Sequence, residues 1–188
     1  MELFRAVVIG TKAVMDKSGV RPEEVLCVSF SSAMHSLIAV DRELSPLTDC
    51  ITFADNRSAA YAERLKADGT GHAIYLNTGT PIHPMSPLLK LMWLKDNEPG
   101  IFERAYKFIG MKEFVFAKLF GTYVADHSLA SATGLLNLNR LDWDEQALRT
   151  AGISRGKLSE PVPTTYQVKG SLRLMRRPWV CTPTLHSS

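Results

Sequence analysis

The sequence predicts an α/β fold, and three observations carry that expectation. Short apolar runs stand at 25–30 ("VLCVSF"), 36–41 ("SLIAVD") and 50–55 ("CITFAD"). Helical patterns stand on either side of them. The order helix, strand, strand, strand, helix points to mixed layers and away from an all-α bundle.

Residues 3–17 read as a helix with Leu3, Val7, Val14 and Met15 on its inner side; Gly19 stops it and Pro22 follows. The run 25–30 is apolar throughout and carries β-branched residues, the pattern of a strand covered on both faces. Within it Cys27 reads as a small buried hydrophobe. The run 36–41 is a second strand, closed by a turn through "RELSP", and 50–55 is a third. An amphipathic helix follows from about Ser58 to Lys66 and ends by Gly69. The second half is mostly helical. In "SPLLKLMWLKDNEP" Ser86 is placed as N-cap, Pro87 as first helical residue and Pro99 as stop. "PGIFERAY" is a short helix, "KFIG" a short strand or connector, and "MKEFVFAKLFG" a helix ending at Gly121. "LDWDEQALRTAG" offers a capping box from Asp142 to Glu145, and Gly152 closes that helix.

The totals narrow the class. A chain of 188 residues suffices for one ordinary domain or for a piece of a larger protein. Its 45% hydrophobic and 22% charged residues match soluble globular averages. No apolar run is long enough to cross a bilayer; "LLKLMWL" is interrupted by Lys90. The amino terminus makes a poor signal peptide, so the cytoplasm is the expected location and no membrane partner is expected. Cys27, Cys50 and Cys181 lack metal-ligand spacing. The net charge of +3 is unevenly placed: residues 169–188 hold Lys169, Arg173, Arg176 and Arg177 and no acid, a net of +4. The first 168 residues keep 18 basic and 19 acidic residues, a net of −1. They show no basic stripe with interleaved aromatics, so no nucleic-acid partner is expected.

Three polar clusters are candidates for chemistry. "SSAMH" ends at His35, in a turn between two strands, where the imidazole can bond a hydroxyl, act as a base, or be structural. "ADNRS" joins Asp55, Asn56, Arg57 and Ser58 at a strand-to-helix junction. Its mixed donors and acceptors suit a polyol or sugar acid, and equally a helix cap. "NTGTPIHPM" places His83 in a rigid turn leading into the next helix. A metal site from Met34, His35 and His83 has poor spacing, so no metal is assigned. Phosphate loops of the GxxxxGK[ST] or GxGxxG type are missing, as are HExxH, GxSxG and CxxC.

Together these stretches resemble the FGGY family of carbohydrate kinases. "MSPLLKLMWLKDN" is similar to the family's first signature at Met85, Pro87, Lys90, Leu91, Trp93, Leu94, Asp96 and Asn97. "FSSAMHSLIAVD" resembles the sugar-binding turn, and "TFADNRS" the W-x-D-x-R segment, with Phe53 where tryptophan is usual. "TGTPIHPM" and "DHSLASATGLLNLNRLDWDEQAL" fit as well, in wording closest to the members acting on gluconate.

The resemblance implies a partial ribonuclease H-like (actin-like ATPase) domain with additional helices. Residues 1–168 would be the sugar-binding amino-terminal domain, incomplete at its start, and 169–188 a divergent tail. The family's phosphate-contacting first strand would precede Met1, and the domain bearing the general-base aspartate would follow residue 168. The abrupt change near Lys169–Ser171 reads as a frame change or truncation. The implied activity is ATP-dependent phosphorylation of a sugar or sugar acid, most plainly gluconate, with ATP and Mg²⁺ as cofactors. Met34 and His35 would pack against and bond the sugar. Asp55 and Arg57 would bond hydroxyls or organise the pocket, with Arg57 a candidate cation for the gluconate carboxylate. No catalytic residue is assigned within the chain, and no turnover is expected from it alone. The alternatives are a kinase of xylulose or another pentulose, or a non-catalytic interaction fragment. The expected partner is a small sugar or sugar acid, and a homodimer is compatible with the resemblance.

Overall fold

A computed structural model describes residues 2–168. The described residues divide into two compact units, Phe30–Tyr166 and a smaller unit of residues 2–29 with Gln167 and Val168. The tail expected at 169–188 lies outside the described residues.

The smaller unit opens with α1 (Glu2–Ser18), where Glu2 in the first turn and Lys17 in the last both suit the helix dipole. Its half-buried stripe runs through Phe4, Val7, Val8, Thr11 and Met15. Val14 falls beside that stripe and is 66% exposed, which corrects its expected inner position. Gly19 takes φ +67° after the helix, and Pro22 begins a 3₁₀ turn over Pro22–Glu24. The buried strand expected at 25–30 does not form. Leu26 is 95% exposed, Val28 is exposed, and Cys27 is exposed, not buried. Among the described residues nothing pairs with this run, and an apolar sequence without a ladder partner is not a strand.

In the larger unit β1 (Ile38–Val40) pairs antiparallel with β2 (Lys107–Ile109), Ala39 opposite Phe108. The third expected strand, 50–55, contracts to one bridge between Leu37 and Ile51. Its room along β1 is taken by the turn that follows. Leu47 N–H donates to the Ala39 carbonyl, and the Thr48 hydroxyl accepts from Ala39 N–H. The Asp41 carboxylate ties that turn together by accepting from the amides of Glu43 and Ser45.

Helices α2 (Ala59–Ala67) and α3 (Thr70–Thr78) come next. The sequence reading missed α3, which has no capping side chain and begins directly after Gly69 in a left-handed conformation. Gly71 lets the two helices close: a methyl there would lie 2.8 Å from the Leu65 carbonyl oxygen. Helix α4 (Pro87–Asn97) buries Leu88, Leu89, Leu91 and Leu94 and packs against α2, α5 (Pro99–Arg104) and α8 (Glu145–Ala151). Ser86 stands at its N-cap position but its hydroxyl donates to the Thr133 carbonyl, 2.8 Å, instead of capping.

After β2 come α6 (Met111–Phe120), β3 (Val124–Asp126) and α7 (His127–Ser131). A short hairpin, β4 (Leu136–Asn137) with β5 (Asp142–Trp143), precedes α8. Beyond α8, β6 (Glu160–Val162) runs parallel to β3. Asp142 belongs to the hairpin, so it is not the cap of α8. That cap is Asp144, whose carboxylate accepts from Ala147 N–H at 2.9 Å. Two acids with similar spacing to the helix compete here, and the hairpin claims the first. No helix among the described residues is long and apolar enough to cross a membrane.

Candidate functional site

The turn before β1 is built around an unusual backbone. His35 has φ +60°, the left-handed region that costs a side-chain-bearing residue about 1 kcal/mol. The turn is pinned by Ser36, whose hydroxyl accepts from Met111 N–H at 2.9 Å, and by Lys90 from α4. Nδ1 of His35 is buried and has no hydrogen-bond partner among the described residues. Burial holds the imidazole below its ordinary range, the Ala132 backbone opposes that, and the Lys90 ammonium and the neighbouring His83 add to it. The ring is therefore neutral at neutral pH. Met34 beside it is 42% exposed. Both residues line a narrow hollow with Pro87, Met111, Lys112 and Thr133.

The second cluster sits at the start of α2. Asp55 accepts from Arg57 at Nε (2.9 and 3.0 Å) and Nη2 (2.8 Å), and from Arg57 N–H (2.9 Å). This pairing holds the Asp55 carboxyl below the usual carboxylate range. The guanidinium then stacks over Trp93, 4.7 Å from the ring centroid. Arg57 lines an open depression of about 420 Å³ with Tyr61, Arg64, Trp93 and Asn97. Ser58 is buried and its hydroxyl donates to the Pro84 carbonyl, 2.8 Å, so it packs the junction and does not cap α2.

The four expected residues thus do not share one hollow. Met34 and His35 line the first, Arg57 lines the second, and Asp55 lines neither. What joins the two segments is Lys90, which the sequence shows as a signature residue and as the break in an apolar run. Its side chain is fully buried. Nζ donates to the carbonyl oxygens of His35, Thr52 (2.8 Å) and Ile51 (3.4 Å). Desolvation lowers its pKa to about 8, while the nearby Asp55 carboxylate and Cys50 oppose the shift. The available signal was one cation inside "LLKLMWL", whose neighbours on both sides belong to the core.

His83, the third candidate, accepts Met85 N–H at Nδ1, 3.2 Å, and so shapes the turn into α4. Among the described residues no group of three or more His, Cys, Asp or Glu could hold a metal ion. The donor set of the described residues does not fit Mg²⁺.

Residues 1–174 match the FGGY family of carbohydrate kinases, N-terminal domain. The gluconokinase of Bacillus subtilis (strain 168) is 52% identical over 165 residues, covering 87% of this chain and 32% of that protein. Two solved structures from Lactobacillus acidophilus superpose well. Its gluconate kinase has a TM-score of 0.71 at 39% identity, over 73% of this chain and 28% of that one. Its xylulose kinase has 0.70 at 37% identity, over 75% and 30%. The chain therefore spans about a third of the length of the curated relatives it matches. The expected α/β class with an actin-like ATPase core is the fold of these neighbours. The chain belongs to the FGGY family of carbohydrate kinases, matching its N-terminal domain.

Proposed function

We propose that residues 1–168 form the sugar-acid-holding domain of an ATP-dependent gluconate kinase. The observation that carries this reading is the neutral His35 at the tip of its turn, with a buried, unpartnered Nδ1 beside Met34. A neutral imidazole both accepts and donates, which suits a hydroxyl of a polyol chain. The 52% identity to a gluconokinase favours gluconate over a pentulose. ATP, when bound with Mg²⁺, supplies the phosphoryl group, and the chemistry demands little beyond positioning and charge stabilisation. This chain's share is to hold and orient the acceptor.

Asp55 and Arg57 support that share as organisers. Each satisfies the other, and the stack on Trp93 fixes the junction between residue 55 and α2. The guanidinium is already engaged by Asp55 along one edge and by Trp93 on one face, which favours the organising role over capture of the gluconate carboxylate.

Ligand-observed NMR on the 188-residue chain with gluconate, xylulose and glycerol tests the reading. Gluconate is expected to bind most tightly, and His35→Ala is expected to remove that binding while leaving the circular dichroism spectrum intact. Xylulose binding more tightly than gluconate supports the pentulose alternative. No selectivity and no effect of His35→Ala supports the non-catalytic alternative. Phosphorylation of gluconate by this polypeptide alone is expected to stay at the level of His35→Ala.

A further inference from the structure

Lys90 places a charge where an apolar side chain would serve packing better. Taking an ammonium out of water costs several kcal/mol unless it is well bonded. Among the described residues no carboxylate forms an ion pair with it; carbonyl oxygens satisfy it instead. An ammonium has three donors and no acceptor, so it can gather three carbonyls around one point. Those carbonyls come from two separate segments. One is the left-handed turn at His35. The other is the run 51–52, which a single bridge attaches to the strand beside it and which leads directly to Asp55.

We infer that Lys90 is a positioning residue of the sugar-acid site: its buried ammonium holds His35 in the left-handed conformation and sets the separation between the His35 turn and the segment leading to Asp55. This rests on the functional reading above. A strained residue persists only where its surroundings hold it, and here the hold is a charge-assisted bond to the strained residue's own carbonyl. The titratable groups facing Lys90 are His35 from the turn, and Cys50, Asp55 and Arg57 from the 50–57 segment. The cation also lowers the basicity of His35 and helps keep the ring neutral.

Loss of the proton from Lys90 removes the charge and one of three donors. The hold on the turn then weakens as pH rises through about 8. His35 is already neutral there, and burial pushes the Cys50 thiol above its ordinary value, so Lys90 is the facing group that titrates in that window.

The test compares the wild-type chain with Lys90→Met, a side chain of similar length without donors. Two quantities are read: the His35 ring titration by NMR without ligand, and gluconate affinity from pH 7 to 9. In Lys90→Met the His35 midpoint is expected to rise. Gluconate affinity at pH 7 is expected to fall about tenfold, and its pH dependence to vanish. A folded Lys90→Met with the wild-type His35 midpoint and affinity overturns the inference. Should Lys90→Met fail to fold, a wild-type affinity that stays flat from pH 7 to 9 overturns it equally. A wild-type chain that binds no gluconate removes the functional reading alone, and the His35 titration still decides the role of Lys90.

Discussion

The ammonium of Lys90 and the carbonyl of His35 meet across 55 positions of sequence, in a contact that ties the first turn of α4 to the turn before β1. That pairing has consequences for stability as well as for binding.

The proton on Lys90 leaves earlier in the folded chain, at about 8, than from an unperturbed lysine at 10.5. Between those values the unfolded chain binds the extra proton, so this residue's contribution raises stability as pH rises through the window. Urea unfolding at pH 7.5 and 10 measures it. The wild-type chain is expected to gain more stability over that interval than Lys90→Met, by ~3 kcal/mol at most. Equal changes in the two proteins contradict this.

Asp144 serves two partners from one buried carboxylate, Ala147 N–H at 2.9 Å and Asn137 Nδ2–H at 3.0 Å. Asp144→Ala is expected to cost about 2–3 kcal/mol, since a helix cap is lost and a buried amide is left unpaired. Asp142→Ala removes the exposed ion pair with Arg155 and the bond its carboxylate accepts from Trp143 N–H at 2.7 Å, and is expected to cost about 1 kcal/mol. Chemical denaturation ranks the two, and the reverse ranking would restore Asp142 as the cap.

Gly134 has φ +74°, and a methyl group there would lie 2.7 Å from the Ser86 hydroxyl oxygen. That hydroxyl is committed to the Thr133 carbonyl and cannot turn aside without breaking its bond. Gly134→Ala is expected to lower stability by roughly 2 kcal/mol, from strain and displacement together. A melting temperature equal to wild type would show that the turn ahead of β4 can shift freely.

The Asp55 carboxyl is held below its ordinary 3.8 chiefly by its bond to Arg57. A depressed carboxylate contributes stability above its unfolded value, and that contribution disappears as pH falls through the lower folded value. In Arg57→Gln the Asp55 midpoint is expected to move up, towards 3.8, in a carbonyl-carbon NMR titration. The effect on global stability is expected to be small, because the Arg57 side chain is 39% exposed. An unmoved midpoint would assign the depression to another group.

Much of the helical skeleton was legible before any coordinates. Pro87 marks a helix limit by its fixed φ, and Gly121 and Gly152 mark theirs by taking the positive φ other residues resist, so local rules are sufficient there. The strands were less legible. "VLCVSF" and "CITFAD" have strand composition, yet one stands without a partner among the described residues and the other keeps a single bridge. Composition records the tendency to pair, while a strand also requires a free edge at the right place.

The amino-acid sequence by itself determined the family, most of the helix limits and the turn that carries His35, because each of these depends on residues close together in the chain. Only the tertiary structure decided that Met34 and His35 face one hollow while Arg57 faces another, and that a buried lysine from α4 reaches both segments. The physical reason is that an ammonium in the core takes whichever carbonyls the packing brings to it, and no spacing rule records which those will be.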